Sequence, residues 1–188
     1  MLGSLIKRKI GRLVKVKKDG LTLKGKIITK LFSRFPFLAK RWAEGFDAVN
    51  SVDIPWTPFT KALSDCRVAL VTTAGVHLKG QPVFDLDNEE GDYTFREIPF
   101  DVNIDDIMIT HKYYDHTDAD KDINIVFPIE RLRELSDSGE IKSLAPRHFG
   151  LMGHIVGSRL KHLIDKTAPD IALRLKEDGV DIALLTPG

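Results

Sequence analysis

The chain has 188 residues, 43% apolar and 29% charged, which is the size and composition of one ordinary globular domain with a single sizeable core. No apolar run approaches the roughly 20 residues needed to cross a bilayer, and the first residues lack the uninterrupted apolar stretch of a signal peptide, so the cytoplasm is the expected compartment. A single cysteine, Cys66, excludes an intramolecular disulfide framework and any multi-cysteine zinc site.

The net charge of +1 conceals an asymmetry. Residues 1–41 hold 13 Lys and Arg against one acid, Asp19, for a net +12, and the remainder carries −11. Within this block Leu5, Ile6, Ile10, Leu13 and Val14 have helical spacing, and Ile27, Ile28, Leu31, Phe32 and Phe35 repeat it before Pro36 breaks the run. Residues 1–50 are therefore expected to form a basic amphipathic helical arm. A solvated helical hairpin is the plainer reading and is preferred; peripheral attachment to anionic lipid is the functional alternative. No aromatic interleaving and no known motif supports a nucleic-acid partner.

Two prolines in DIPWTP, residues 53–58, exclude a helix there and mark a domain boundary, so the second domain spans 54–188. No internal repeat or low-complexity tract is present. Val68, Ala69, Leu70 and Val71 then form a continuous apolar run that ends at Thr72, Thr73, Ala74 and Gly75, the pattern of a strand buried on both faces. Residues 106–110 read as a second such strand. Pro128 opens a helix over 129–138, with Ile129, Leu132 and Leu135 on one face and Gly139 at its end. A further helix is expected over 158–176, kinked or divided at Pro169, with Gly179 as its cap. Residues 180–185 form a third buried strand, which runs into Thr186, Pro187 and Gly188 with no covering helix after it. The alternation predicts an α/β fold: an open, mostly parallel sheet with covering helices, incomplete after the last strand.

On such sheets ligands sit at the carboxyl ends of the strands. The loops placed there contain His77, His111 and His116, with Asp85, Asp87, Asp115, Asp118 and Asp120 close by. Imidazoles in this position suit proton transfer near neutral pH or orientation of a substrate. No metal-binding motif is matched, and no metal site is expected. His148 and His154 flank an apolar, glycine-containing stretch, where a structural histidine is the plain alternative, preferred for His154. Cys66 lies at the amino end of the first strand and reads as a small buried or partly exposed thiol rather than a nucleophile. No glycine-rich phosphate loop is present.

Four strings, VALVTTAGVHLKGQPVFDLDNEEGDYTFREIP, DIMITHKYYDHTDADKDINIVFPIERLRELSDSGEI, APRHFGLMGHI and VDIALLTPG, resemble the selenoprotein B family of the glycine, sarcosine, betaine and D-proline reductases, over roughly residues 54–188. The resemblance implies reductive cleavage of a carbon-nitrogen bond in a small amino acid or its N-methylated relative. It implies a selenocysteine or cysteine just after Gly188. Because selenocysteine is encoded by UGA, a reading frame closed at that codon would end where this chain ends, and the 188 residues would be inactive alone. It further implies partner reductase subunits, one of them able to carry a pyruvoyl group, with no cofactor in this chain and a homo-oligomer as an option. Carried over by motif, His77, His111 and His116 are the catalytic candidates, and Thr73, Gly75, Asp118 and His148 are the substrate-binding candidates. A noncatalytic α/β binding or assembly subunit, or a general thiol or selenol redox protein, are the alternatives.

Overall fold

The computed structural model describes residues 31, 34–43 and 57–188. These fall into two units. One contains a short helix, α1 (Pro36–Ala43), together with Lys112–Asp115; the other comprises the rest of 57–188. Pro36 opens α1, where its missing amide hydrogen costs nothing; the apolar run expected before it lies mostly outside the described residues. Most of the expected arm, and most of the boundary at 53–58, lie outside the described residues.

The second unit is built on β1 (Arg67–Thr72), which is buried from Val68 onward, as its apolar run predicts. On one side β1 pairs in parallel with β5 (Ser143–Leu144) and then β6 (Arg147–Leu151); on the other it pairs in parallel with β7 (Ile182–Thr186). β3 (Phe95–Pro99) closes the far edge, antiparallel to β6. The sheet is therefore mixed and mostly parallel.

Side chains at paired positions share a face. Val71, Phe149 and Leu151 point to one side and pack against Ile171 of α4 (Ala168–Glu177), with Phe95, Leu163 and Leu175 around them. Leu70, Thr72 and His148 point to the other side, where Phe127 leads into α2 (Ile129–Asp137), whose Ile129 and Leu132 are buried. Gly139 ends α2 with φ +74°, a conformation glycine adopts without strain. The expected helix over 158–176 is divided: α3 (Gly157–His162) runs through a π-helical turn, Leu163–Thr167, into α4, and Pro169 falls in the first turn of α4, where it is tolerated.

Two expectations need correction. The strand read at 106–110 is β4 (Ile107–Ile109), and it is not a parallel member of the sheet. It pairs antiparallel with β2 (Val76–Leu78) in a separate two-stranded ribbon, leaving Met108 43% exposed. An apolar triplet specifies extension but not its partner. The final strand is also not buried on both faces. Leu185 shares the face of Val71 yet is 71% exposed, because α4 covers β6 and β1 but stops short of β7.

Candidate functional site

The exits of four strands meet at the carboxyl edge of β1. The Thr73 amide donates to the Thr186 carbonyl at 3.0 Å, extending the β1–β7 ladder by one step. Ala74 bridges Met152, the Gly75 amide donates to Leu151 at 2.8 Å, and the Thr110 amide donates back to Gly75 at 2.9 Å. Gly75 has φ +75°, and a Cβ there would stand 2.3 Å from the Thr110 carbonyl oxygen and 3.2 Å from His111 Cβ. Gly188 lies so close over Ala74 that a Cβ would meet the Ala74 Cα at 2.5 Å. Only backbone fits at these two crossings, so the end of β7 is carried within one residue of the segment that packs on His111.

Below this floor the two strands are tied to one point. The hydroxyls of Thr72 and Thr186 both donate to the Val126 carbonyl, at 2.9 and 2.7 Å. Both lone pairs of a single carbonyl are thereby used, which fixes the strand ends against the turn before α2.

His111 is 4% exposed, and its pKa is lowered to about 4, first by burial and then by the neighbouring imidazoles of His116 and His154. It is neutral at pH 7. His116 is 7% exposed, and its Nδ1 donates to the Asp120 carboxylate at 2.8 Å, the arrangement that orients an imidazole for proton transfer. His154 donates from Nε2 to the Glu89 carbonyl at 3.0 Å. Its position is set by the loop 85–92: Gly91 bridges Ile155, the Val156 amide donates to Glu90, and Arg159 donates to the Gly91 carbonyl. That loop is anchored by Asp92. Burial opposes its charge, but the Thr94 hydroxyl and amide, the Asp85 amide and Arg96 together hold its carboxyl below the usual range.

The structure thus gathers His111, His116 and His154. His154 is the residue that sequence reasoning set aside. His77 is fully buried, and both ring nitrogens are engaged: Nδ1 donates to the Leu78 carbonyl at 2.9 Å, and Nε2 accepts from the Thr110 hydroxyl at 2.7 Å. Burial lowers its pKa, and the ring braces Thr110, the residue before His111. His148 lies inside the core, on the α2 face of β6. Its Nδ1 accepts the Leu70 amide at 3.0 Å, its Nε2 has no hydrogen-bond partner, and its ring packs edge to face on Phe127. Its pKa is also lowered to about 4, by burial and then by Arg133. Thr73 is exposed beside the floor, Gly75 is part of it, and Asp118 is an exposed surface residue paired with Lys121 at 2.7 Å. Among the described residues no three His, Cys, Asp or Glu side chains are arranged to hold a metal ion. Cys66 is buried at the opposite end of β1, its thiol donating to the Ala62 carbonyl.

The protein is of the mixed, mostly parallel α/β class, in which ligands are found beyond the carboxyl ends of the strands, the edge at which His111 lies. The glycine/sarcosine/betaine reductase selenoprotein B family model matches residues 38–188, and the chain belongs to that family. It is 50% identical over 133 residues to D-proline reductase subunit gamma of Acetoanaerobium sticklandii, a match covering 71% of this chain and 53% of that one. It is 31% identical over 136 residues to glycine reductase complex component B subunit gamma of Carboxydothermus hydrogenoformans, covering 71% of this chain and 30% of the relative. The corresponding subunit of Symbiobacterium thermophilum is 30% identical over 136 residues, 71% of this chain and 31% of its own. The chain therefore spans about half the length of the first relative and under a third of the other two. No solved structure matches it.

Proposed function

We propose that the chain is part of the B component of a reductase complex that cleaves a carbon-nitrogen bond in a small amino acid or an N-methylated amine. The observation that carries this reading is the buried His111, which follows the Thr110 bonded to Gly75 at the carboxyl edge of β1 and lies close enough to His116 and His154 for their imidazoles to lower its pKa. Reduction of a carbon-nitrogen bond needs a soft nucleophile at the carbon, a proton for the departing amine, and a reductant to regenerate the nucleophile. The residues described here supply the proton handling. His116, held by Asp120, delivers a proton to the leaving nitrogen. His111, kept neutral by burial, donates or accepts a hydrogen bond without placing a charge beside the substrate. Thr73, exposed at the same floor, offers a hydroxyl to a substrate carboxylate.

The nucleophile belongs, on this reading, to the sequence that follows Gly188, as a selenocysteine or cysteine; a selenolate suits the task because it is ionised at neutral pH. Partner subunits complete the site, one of them able to contribute a pyruvoyl group. Two measurements test the proposal. The gene is read from codon 189, where an open frame beyond a UGA or cysteine codon is expected; a UAA or UAG stop with no frame beyond it removes the nucleophile and with it the enzyme. The assembled complex is then assayed with a dithiol reductant for amine release from glycine, sarcosine and betaine and for reductive ring opening of D-proline. His116→Asn is expected to lower turnover about 100-fold, and wild-type turnover in that variant would overturn the assignment of the proton donor.

A further inference from the structure

We infer that a cleft at the amino edge of the sheet binds a small organic anion, a carboxylate or phosphate carried on an apolar group. The inference is independent of the reading of the histidine site. Arg67, which lines the cleft, opens β1, and five strand steps, about 16 Å, separate it from Thr72 at the carboxyl edge. The cleft has a volume of about 450 Å³, within the range of small-molecule sites. Its walls come from β1, from α2 and from the segment 143–146 that carries β5.

Arg67 and Arg133 are both half-buried here, and each is held by neutral oxygens rather than by a carboxylate. Arg67 donates from Nη1 to the Asp178 carbonyl at 2.6 Å and from Nε to the Ser143 hydroxyl at 3.4 Å. Arg133 donates from Nε and Nη2 to the Phe100 carbonyl at 3.1 and 2.6 Å, and from Nη2 to the Val102 carbonyl at 2.7 Å. These bonds fix both side chains, yet Nη2 of Arg67 and Nη1 of Arg133 have no partner among the described residues. The side chains of Asp178 and Asp181, beside Arg67, are engaged by Arg147 at 2.7 Å and Lys61 at 2.9 Å. Two positioned guanidiniums with no counter-charge and with donors to spare suit an oxyanion, which accepts charge-assisted bonds from both. The hydroxyls of Ser136 and Ser143 add further donors on the same walls, while Leu144, Pro146 and the 48% exposed Phe100 supply apolar surface. A bare inorganic anion leaves that surface in water, whereas an anion on an apolar group uses both halves of the cleft. The exposed Asp137 carboxylate also lines the cleft and opposes the anion, which makes it a lever for the test.

The test is a titration of the purified full chain with benzoate and with phenyl phosphate as probes, and with benzamide and inorganic phosphate as controls, followed by backbone amide chemical shifts. Saturable shifts are expected at Ser136, Ser143 and Leu144, with none at Thr73, Gly75 or His111. At least one of the two organic anions should bind about tenfold or more tightly than either control, and the tighter of the two assigns the anionic group. Ser136→Asp places a carboxylate beside the guanidiniums without removing a side-chain hydrogen bond and should weaken binding about tenfold. Asp137→Asn removes the opposing charge and should tighten it about threefold. Both variants are expected to unfold at the wild-type temperature. Benzamide or inorganic phosphate binding as tightly as the organic anions overturns the inference. So do shifts confined to the carboxyl edge, an absence of saturation below about 10 mM, or an affinity unchanged in either variant.

Discussion

Acidification from pH 7.5 to 5.0 should destabilise the α/β unit through two buried imidazoles. His111 and His148 each ordinarily titrate near 6.5 and in the fold titrate near about 4. Because the folded value lies below the unfolded one, the unfolded chain takes up protons first, and stability falls as pH drops from 6.5 towards 4. The full linkage is about 3.4 kcal/mol per group, of which about 2 kcal/mol is lost by pH 5.0. Together the pair should remove about 4 kcal/mol, a large part of an ordinary domain's stability. His77, lowered in the same direction, adds to the loss. The carboxylates held low by hydrogen bonds, such as Asp92 and Asp122, protonate below this window and do not mask the effect. Urea unfolding followed by far-ultraviolet circular dichroism at pH 7.5, 6.5, 5.5 and 5.0 measures it. His148→Asn, which keeps an acceptor near the Leu70 amide, should be weaker at pH 7.5 but show about half the slope. Stability that stays level within about 0.5 kcal/mol across the window, or an unchanged slope in His148→Asn, would refute the reasoning.

Four further outcomes are expected. Gly75→Ala forces a side chain into positive φ and against the Thr110 carbonyl and should cost about 2–4 kcal/mol in urea unfolding; a loss under about 0.5 kcal/mol would contradict the crossing described here. Thr72→Val and Thr186→Val should each cost about 1 kcal/mol, and because they share the Val126 carbonyl a double-mutant cycle should give a coupling of at least about 0.5 kcal/mol, where strict additivity would mean the two bonds act separately. Asp120→Ala frees the His116 ring and should lower turnover of the assembled complex by about tenfold or more without changing its melting temperature. The Cys66 thiol, buried and bonded to the Ala62 carbonyl, should resist a maleimide in the folded protein and react on unfolding; rapid native labelling would place it at the surface.

Much of the scaffold is legible in the amino acids because local pattern and burial agree there. The run from Val68 to Val71 reads as a strand buried on both faces and is one, and the helix expected over 158–176 changes to a π-helical turn at Leu163–Thr167, just before Pro169. β6 is opaque for the opposite reason. Its Arg147 and His148 look like surface residues until Asp178 pairs with the first at 2.7 Å and the Leu70 amide, 78 residues away, pairs with the second. β3 is hidden in the same way, since Glu97 finds its partner in Arg174 at 2.6 Å. In the site, His111 and His116 are readable as residues following a strand. His154 is not, because its place depends on recognising β6 and on the loop 85–92 folding back to receive it. Asp118 and His148 share motifs with the cluster but not its location, one facing solvent and the other locked in the core.

The two hydrogen bonds to the Val126 carbonyl couple the carboxyl edge to the turn before α2. Residues 123–127 hold the ends of β1 and β7 through one oxygen atom, so these strand ends form a single mechanical body with the start of α2. Displacing the turn before α2 would act on both strand ends at once, because the same oxygen accepts from Thr72 and Thr186.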